Sequence, residues 1–319
     1  MSEITMKYRQ LGPSGLTVSV VGLGCNSFGV TVPTERVTDV VRAALDAGIT
    51  FFDVSDTYGS TAGESEELLG KALGSRRADA VVATKFGMDT GGLNGPDWGV
   101  RGSRRYIRKA VEGSLRRLGT DHIDLYQMHR PDPHTPVAET LAALHELVAE
   151  GKVRYLGSSN FTGWQIIDAD WTAHTAGTTP FVSAQNEYNL LSRGLEDEVI
   201  PALEHIGGGL LPFFPLASGL LTGKYRRGQD APEGTRLARR PDRLAGADFD
   251  MIEALQHFAE ERDLSMLQVA IGWLAAQPGV ASVISGASRP EQVRSNAAAL
   301  WHPEPDDLAE LDRITDTAT

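Results

Sequence analysis

The chain has 319 residues, 41% of them apolar and 23% charged, with a net charge of −12. That supplies an ample core, and the length suits an α/β barrel with extended loops. The acidic balance argues against a general nucleic-acid surface, which would be basic, while leaving room for one small basic pocket around a phosphate. A single cysteine, Cys25, excludes an internal disulfide and a cysteine metal cluster and suits a reducing cytoplasm. No apolar run approaches the ~18 residues of a spanning helix, and residues 1–10 hold no signal-peptide core. The sequence therefore predicts a soluble cytoplasmic protein with no membrane partner.

Residues 8–20 contain two short extended pieces around the turn signal Gly12-Pro13-Ser14-Gly15. They predict a hairpin lying as a lid over one end of the remaining fold. Val21-Gly22-Leu23-Gly24 reads as a tight apolar strand leading into Cys25-Asn26-Ser27-Phe28-Gly29. These glycines resemble a dinucleotide fingerprint, but the third falls five residues after the second, not three. No helix opens there either, so a Rossmann fold is rejected.

From Thr34 helices and strands alternate. Amphipathic segments at 35–47, 64–73, 104–118, 136–150, 162–173 and 196–206 lead to apolar runs at 49–54, 80–85, 123–129, 153–158, 181–186 and 210–214. Helices at 249–261 and 265–276 precede a last run at 280–285, and a helix at 290–300 comes after it. With 21–24 counted first, eight strands alternate with helices. Alternation implies a parallel sheet, and eight units imply closure into a (β/α)8 barrel in one α/β domain. Residues 217–247 show no helix or strand signal, and so long a loop in a compact domain is usually functional.

The chemistry of such a barrel is read from what ends each strand. The run Ile49-Thr50-Phe51-Phe52-Asp53-Val54 delivers a carboxylate, with Tyr58 and Gly59 in the loop beyond. Lys85 ends the third strand and His129 the fourth; Ser159 and Asn160 come just after the fifth, and Gln185 lies in the sixth. Singly, each has a bland explanation: a strand-end Lys snorkels to water, a lone His is hydrogen-bonded structure, a loop Tyr is packing. As a set they resist it, because Lys and Asp are seldom buried unpaired and adjacent strands bring Asp53 and Lys85 to one mouth.

Four chemistries compete for these residues. A di-metal hydrolase needs more ligands than Asp53 and His129, so no metal is expected. A glycosidase needs a second strand-end carboxylate. Lys85 is a legitimate Schiff-base nucleophile for an aldolase. Carbonyl reduction uses all four residues. Tyr58 supplies the proton if its pKa, ~10 unperturbed, is drawn toward neutrality by the Lys85 ammonium. Asp53 keeps Lys85 charged, and His129 donates a hydrogen bond that orients the carbonyl oxygen.

With these residues in place, the sequence resembles the aldo-keto reductase family, in the branch that holds bacterial enzymes and channel β-subunits. The resemblance runs from Tyr8-Arg9-Gln10-Leu11-Gly12 to Asn296. It includes residues 114–126, ahead of the histidine, and 151–161 after it, Gly151-Lys152-Val153-Arg154-Tyr155-Leu156-Gly157-Ser158-Ser159-Asn160-Phe161. The family's aspartate, tyrosine, lysine and histidine fall on Asp53, Tyr58, Lys85 and His129.

The resemblance implies NADP(H) as cofactor ahead of NAD(H), bound across the C-terminal mouth. It places Gly24, Cys25, Asn26 and Asp53 near the cofactor, Ser159, Asn160 and Gln185 on the nicotinamide carboxamide, and the Phe213 ring on the nicotinamide face. Leu216, Gly219, Leu221, Gly223 and Lys224 would cross the pyrophosphate, where small residues let backbone N–H groups approach an anion. Gly286, Ser288 and Arg289 stand at a helix N-terminus suited to a 2′-phosphate, with Gln292 and Asn296 toward the adenine. Two short stretches depart from many relatives: Phe213-Phe214 replaces Tyr-Ser, and Ser295-Asn296 replaces Glu-Asn. The first loses a hydroxyl contact and the second one adenine contact.

Substrate choice is expected to lie in loops 28–33, 88–102 and 226–246, with Phe28 and Trp98 as candidates for an apolar pocket. The implied activity is reversible NADPH-dependent reduction of aldehydes or ketones to alcohols. The alternative is a regulatory NADP(H)-binding subunit or redox sensor with slow turnover. Expected partners are a small carbonyl compound and, in a homo-oligomer, further copies of the chain.

Overall fold

The computed structural model describes residues 6–233, 235 and 237–316. Residues 1–5, part of the segment expected to hold no signal-peptide core, and residues 234 and 236 of the long loop lie outside the described residues. Among the described residues the strands are β1 (Tyr8–Gln10), β2 (Thr17–Ser19), β3 (Val21–Gly24), β4 (Phe51–Asp53), β5 (Val81–Phe86), β6 (Ile123–Met128), β7 (Val153–Ser159), β8 (Phe181–Gln185), β9 (Gly209–Leu210) and β10 (Val283–Gly286). The helices are α1 (Thr34–Asp46), α2 (Glu64–Leu73), α3 (Arg104–Leu118), α4 (Val137–Ala149), α5 (Gly163–Ala176), α6 (Val199–Ile206), α7 (Pro241–Ala245), α8 (Phe249–Glu261), α9 (Met266–Ala276), α10 (Pro290–Ala297) and α11 (Pro305–Thr315).

The main sheet runs β10-β3-β4-β5-β6-β7-β8-β9, every neighbour parallel. Bridges between Leu210 and Val280 and between Phe213 and Ile284 join its two edges, so the sheet closes as a (β/α)8 barrel. Two apolar layers arise from the period-2 alternation of each strand. Phe51, Ala83, Leu125, Val182, Leu211 and Ala281 fill the barrel's inside. Their outward neighbours, such as Phe52, Val82, Tyr126 and Ala184, meet the helix faces carrying Val37, Val40, Val41, Leu69 and Ile107. Local signals fix the helix ends: the Ser103 hydroxyl caps α3 by accepting from the Tyr106 N–H, and Gly119 closes it in the left-handed region at φ 64°.

The antiparallel pair β1–β2 plugs the end of the barrel where the strands begin. Leu11 and Val18 pack inside against Phe51, Val182 and Leu211. Gly12 lies so close that a Cβ would come within 2.2 Å of the Val182 carbonyl oxygen. The plug leaves the opposite, C-terminal mouth open to the loops.

Three expectations need correction. The seventh barrel strand is β9 plus the bridge at Phe213, not a run through 214, because Pro212 and Pro215 have no N–H for a ladder. Segment 217–247 is not devoid of structure: residues Ala217–Thr222 form a 3-10 turn and α7 begins with a proline at its first turn. α11 lies outside the predicted set, although its Glu304–Asp307 capping box and Pro305 are start signals.

Candidate active site

Strand register builds the site. β4 pairs Asp53 with Ala83, β5 pairs Lys85 with Gln127, and β7 pairs Ser159 with Gln185. Asp53, Lys85, Gln127 and Gln185 share the inward parity of the apolar layer beneath them, and all four are buried. A polar layer therefore sits on the barrel's apolar plug, at the strand ends. The Asp53 Oδ2 accepts from the Lys85 ammonium at 2.7 Å. Its Oδ1 accepts from the Gln185 amide at 2.7 Å and the Gln127 amide at 3.3 Å.

The Lys85 ammonium also donates to the Val54 carbonyl at 3.1 Å and to the Tyr58 hydroxyl at 3.2 Å. Burial works against its charge, but Asp53 and Tyr58 outweigh it and raise the Lys85 pKa above the ordinary value. The loop that carries Tyr58 is tied down at both ends. The Tyr58 N–H donates to the Ser55 carbonyl, and the Ser65 N–H to the Tyr58 carbonyl. Gly59 completes the turn at φ 121°, where a Cβ would lie 2.6 Å from Glu64 Cβ and 2.7 Å from the Thr61 carbonyl oxygen.

His129 comes directly after β6 and is anchored by its N–H to the Phe86 carbonyl. Its ring meets the Tyr58 ring edge-on, with centroids 5.9 Å apart. The four residues of the expected tetrad thus share one mouth. The pKa expectation for Tyr58 does not hold in this structure: burial raises it, with Asp53 adding, and the lowering effect of Lys85 is the smaller. Burial and the charges of Lys85 and Arg130 push His129 down to about 2, so its imidazole is neutral at physiological pH.

The remaining candidates ring this mouth. Gly24 pairs with both Asp53 and Gly286, bringing two side-chain-free positions together. Cys25 is buried, its N–H on the Asp53 carbonyl, and Asn26 is half-buried beside it. Asn160, at φ 59°, donates its side-chain amide to the His129 carbonyl and to Ser159 Oγ, both at 3.0 Å. Gln185 already commits its amide donor to Asp53, a bond with no signal in the residue order. Phe213 is half-buried and leads into a stretch with positive φ at Phe214, Ala217, Ser218 and Gly219.

Within that stretch Leu216 is half-buried and Leu221 fully buried, Gly223 is left-handed at φ 73°, and Lys224 is exposed. At α10, the Gln292 side-chain oxygen accepts from the Ser288 N–H and hydroxyl, and buried Asn296 reaches back to the Gly286 carbonyl. Among the described residues the exposed Arg289 makes no ion pair or side-chain hydrogen bond.

The two substrate candidates separate. Phe28 is fully buried in the core and bridges to Val32, so its ring offers a substrate no surface. Trp98 is 71% exposed on the loop after β5, with the Arg105 guanidinium over its ring at 4.4 Å. Gln127 is absent from the sequence-derived candidates, although alternation from Leu125 to His129 points it inward. Ser55 and Asp56, in contact with His129 and Asn94, carry no sequence signal beyond lying between Asp53 and Tyr58. Among the described residues no group of three His, Cys, Asp or Glu could hold a metal ion, and no helix is long and apolar enough to cross a membrane.

Comparison with known proteins gives the same direction. The family model described as "Aldo/keto reductase family" matches residues 20–316. An uncharacterized oxidoreductase of Bacillus subtilis, YrpG, is 38% identical over 301 residues, covering 92% of this chain and 91% of its own. A probable voltage-gated potassium channel subunit beta of Oryza sativa subsp. japonica is 37% identical, with 92% and 91% covered. An L-glyceraldehyde 3-phosphate reductase of Escherichia coli O157:H7 is 35% identical over 324 residues, with 97% and 92% covered. A barrel with this strand-end polar layer, matched over nearly its whole length, belongs to the aldo/keto reductase family of oxidoreductases.

Proposed function

We propose that the protein reduces aldehydes or ketones to alcohols with NADPH, reversibly, and that Tyr58 is the proton donor. The observation that carries this reading is the line from buried Asp53 and Lys85 to half-buried Tyr58, with bonds of 2.7 and 3.2 Å. Burial keeps the phenol protonated at rest, as an acid must be. The charged Lys85 beside it stabilises the phenolate left when the proton moves to a carbonyl oxygen. Neutral His129, next to the Tyr58 ring, donates one hydrogen bond to the same oxygen and fixes its direction.

The residues at the mouth fit a dinucleotide. Gly24 and Gly286 face each other with no side chains, and a Cβ at Gly286 would meet nothing within 4 Å. The left-handed backbone at residues 217–219 is strain of the kind found at ligand clamps. Arg289, unpaired among the described residues and placed at the N-terminus of α10, suits a 2′-phosphate, which favours NADP(H) over NAD(H). When bound, this cofactor supplies the hydride. Ser159, Asn160 and Phe213 would hold its nicotinamide end, with Gln185 acting mainly through Asp53. Residues 216–224 would hold the diphosphate, and Ser288, Arg289, Gln292 and Asn296 the adenosine. A lone, buried cysteine suits the cytoplasm, where we place the enzyme.

The test is Tyr58→Phe. Loss of a general acid typically costs about 10²–10⁴-fold in rate. The variant should lose that much turnover and keep its affinity for NADPH, measured by fluorescence titration. Undiminished turnover would remove Tyr58 from the proton-donor role. A second reading, a cofactor-holding regulatory subunit, is favoured by the 37% identity to a channel β-subunit and by nothing in the geometry.

A further inference from the structure

A buried polar cluster that none of these roles uses lies behind His129. The Ser55 hydroxyl, fully buried, is 3.1 Å from His129 Nδ1 and 3.4 Å from Asp56 Oδ1. It also accepts from the Thr57 N–H and lies 3.0 Å from the Thr57 hydroxyl. Asp56 is fully buried and has no ion pair among the described residues. Its Oδ2 accepts from the Asn94 amide at 2.9 Å.

Proton counting decides what this cluster does. A neutral imidazole carries one proton, and Ser55 occupies Nδ1, leaving Nε2 for a carbonyl oxygen. That oxygen only accepts, so Nε2 must carry the proton and Nδ1 must accept from Ser55. The Ser55 hydroxyl has one hydrogen to give; an ionised Asp56 accepts it at 3.4 Å, in competition with His129 Nδ1 and the Thr57 hydroxyl. If Asp56 takes it, Nδ1 holds the ring proton and Nε2 is bare.

We propose that Ser55 and Asp56 are positioning residues for the carbonyl: protonated Asp56 donates to Ser55, Ser55 donates to His129 Nδ1, and the Nε2–H is left facing the substrate. The proposal rests on the reading of His129 given above. The groups facing Asp56 decide its proton. Glu66 comes from α2, ion-paired at 2.7 Å to Arg117 of α3; Tyr106 of α3 reaches Asn94; Tyr126 lies on β6. Burial and then the Glu66 charge raise Asp56 to about 7, against Arg117, Asn94 and Ser55. Both protonation states are populated near neutrality, and ionisation reverses the chain.

The experiment is the pH profile of kcat/KM for reduction of an aromatic aldehyde by NADPH, for wild type, Asp56→Asn, Ser55→Ala and Ser55→Thr. Wild type should fall by roughly tenfold per pH unit above a limb near neutrality. Asp56→Asn, whose amide always donates to Ser55, should keep the low-pH value without that limb. Ser55→Ala should be slow throughout, and Ser55→Thr, which restores the hydroxyl, should recover. A limb near neutrality that survives in Asp56→Asn, a flat wild-type profile, or a full rate in Ser55→Ala overturns the proposal.

Nitrogen-15 NMR of the His129 ring, identified by its absence in His129→Ala, reads the tautomer without turnover. The wild-type ring should pass from the Nε2–H to the Nδ1–H form as pH rises through neutrality. A ring that keeps one tautomer overturns the proposal whatever the activity. A ring that switches in a protein without reductase turnover overturns only the reading of function.

Discussion

Lys85 is a fully buried ammonium whose charge is met by one carboxylate, one carbonyl and one phenol. Taking away only the carboxylate leaves a buried cation with no counter-charge. Asp53→Ala should therefore lower stability by about 3–5 kcal/mol, seen as an earlier denaturation midpoint. Asp53→Asn, which keeps an acceptor for Lys85, should lose less. Equal midpoints for Asp53→Ala and wild type would show that the pair holds nothing together. Asp56 makes a separate, pH-dependent contribution. The folded state raises its pKa from 3.8 to about 7, so its stabilisation is complete below the unfolded value and is lost as pH rises through the folded one. In denaturant titrations, Asp56→Asn should lose less stability than wild type between mildly acid and mildly alkaline pH. A parallel loss would place the titrating group elsewhere.

Strands β4, β5 and β6 deliver their polar ends through alternation, and this makes much of the candidate site legible in the sequence. Phe51 and Asp53 share a face, as do Ala83 and Lys85, or Leu125, Gln127 and His129, so apolar run and terminal polar residue can be read together. Loops obey no such period. That Ser55 meets His129, or that Gln185 donates to Asp53, depends on turns and on cross-barrel distance that residue order does not encode. Phe28 reads as a pocket residue because it lies just past a strand end, but the turn after β3 folds it into the core. The loop from β4 to α2 is the element on which the tyrosine depends most. Gly59→Ala forces a Cβ into Glu64 and Thr61 at a φ that side chains rarely adopt. A cost of about 1–3 kcal/mol is expected, together with a fall in kcat from displacement of Tyr58. Wild-type kcat and stability in that variant would show that the turn is not needed to hold Tyr58.

At the scale of the whole molecule, a closed barrel with one end plugged leaves one open mouth. The polar layer, the strained stretch after β9 and Arg289 belong to that side. A ligand bound there stabilises the fold by about 2.7 kcal/mol when present at 100 times its Kd. NADPH should raise the melting temperature more than NADH at equal concentration, and Arg289→Ala should bring the two shifts together. Equal shifts in the wild type would remove Arg289 and its neighbours from 2′-phosphate recognition. On the proposed reading, this mouth turns substrate over and does not merely hold a cofactor. That reading is tested most directly by measuring NADPH consumption against excess aromatic aldehyde at substoichiometric protein, with the alcohol product counted. Many alcohols formed per protein molecule is the predicted result. Tight NADPH binding with no more than one alcohol per protein molecule would contradict it and favour the cofactor-holding subunit.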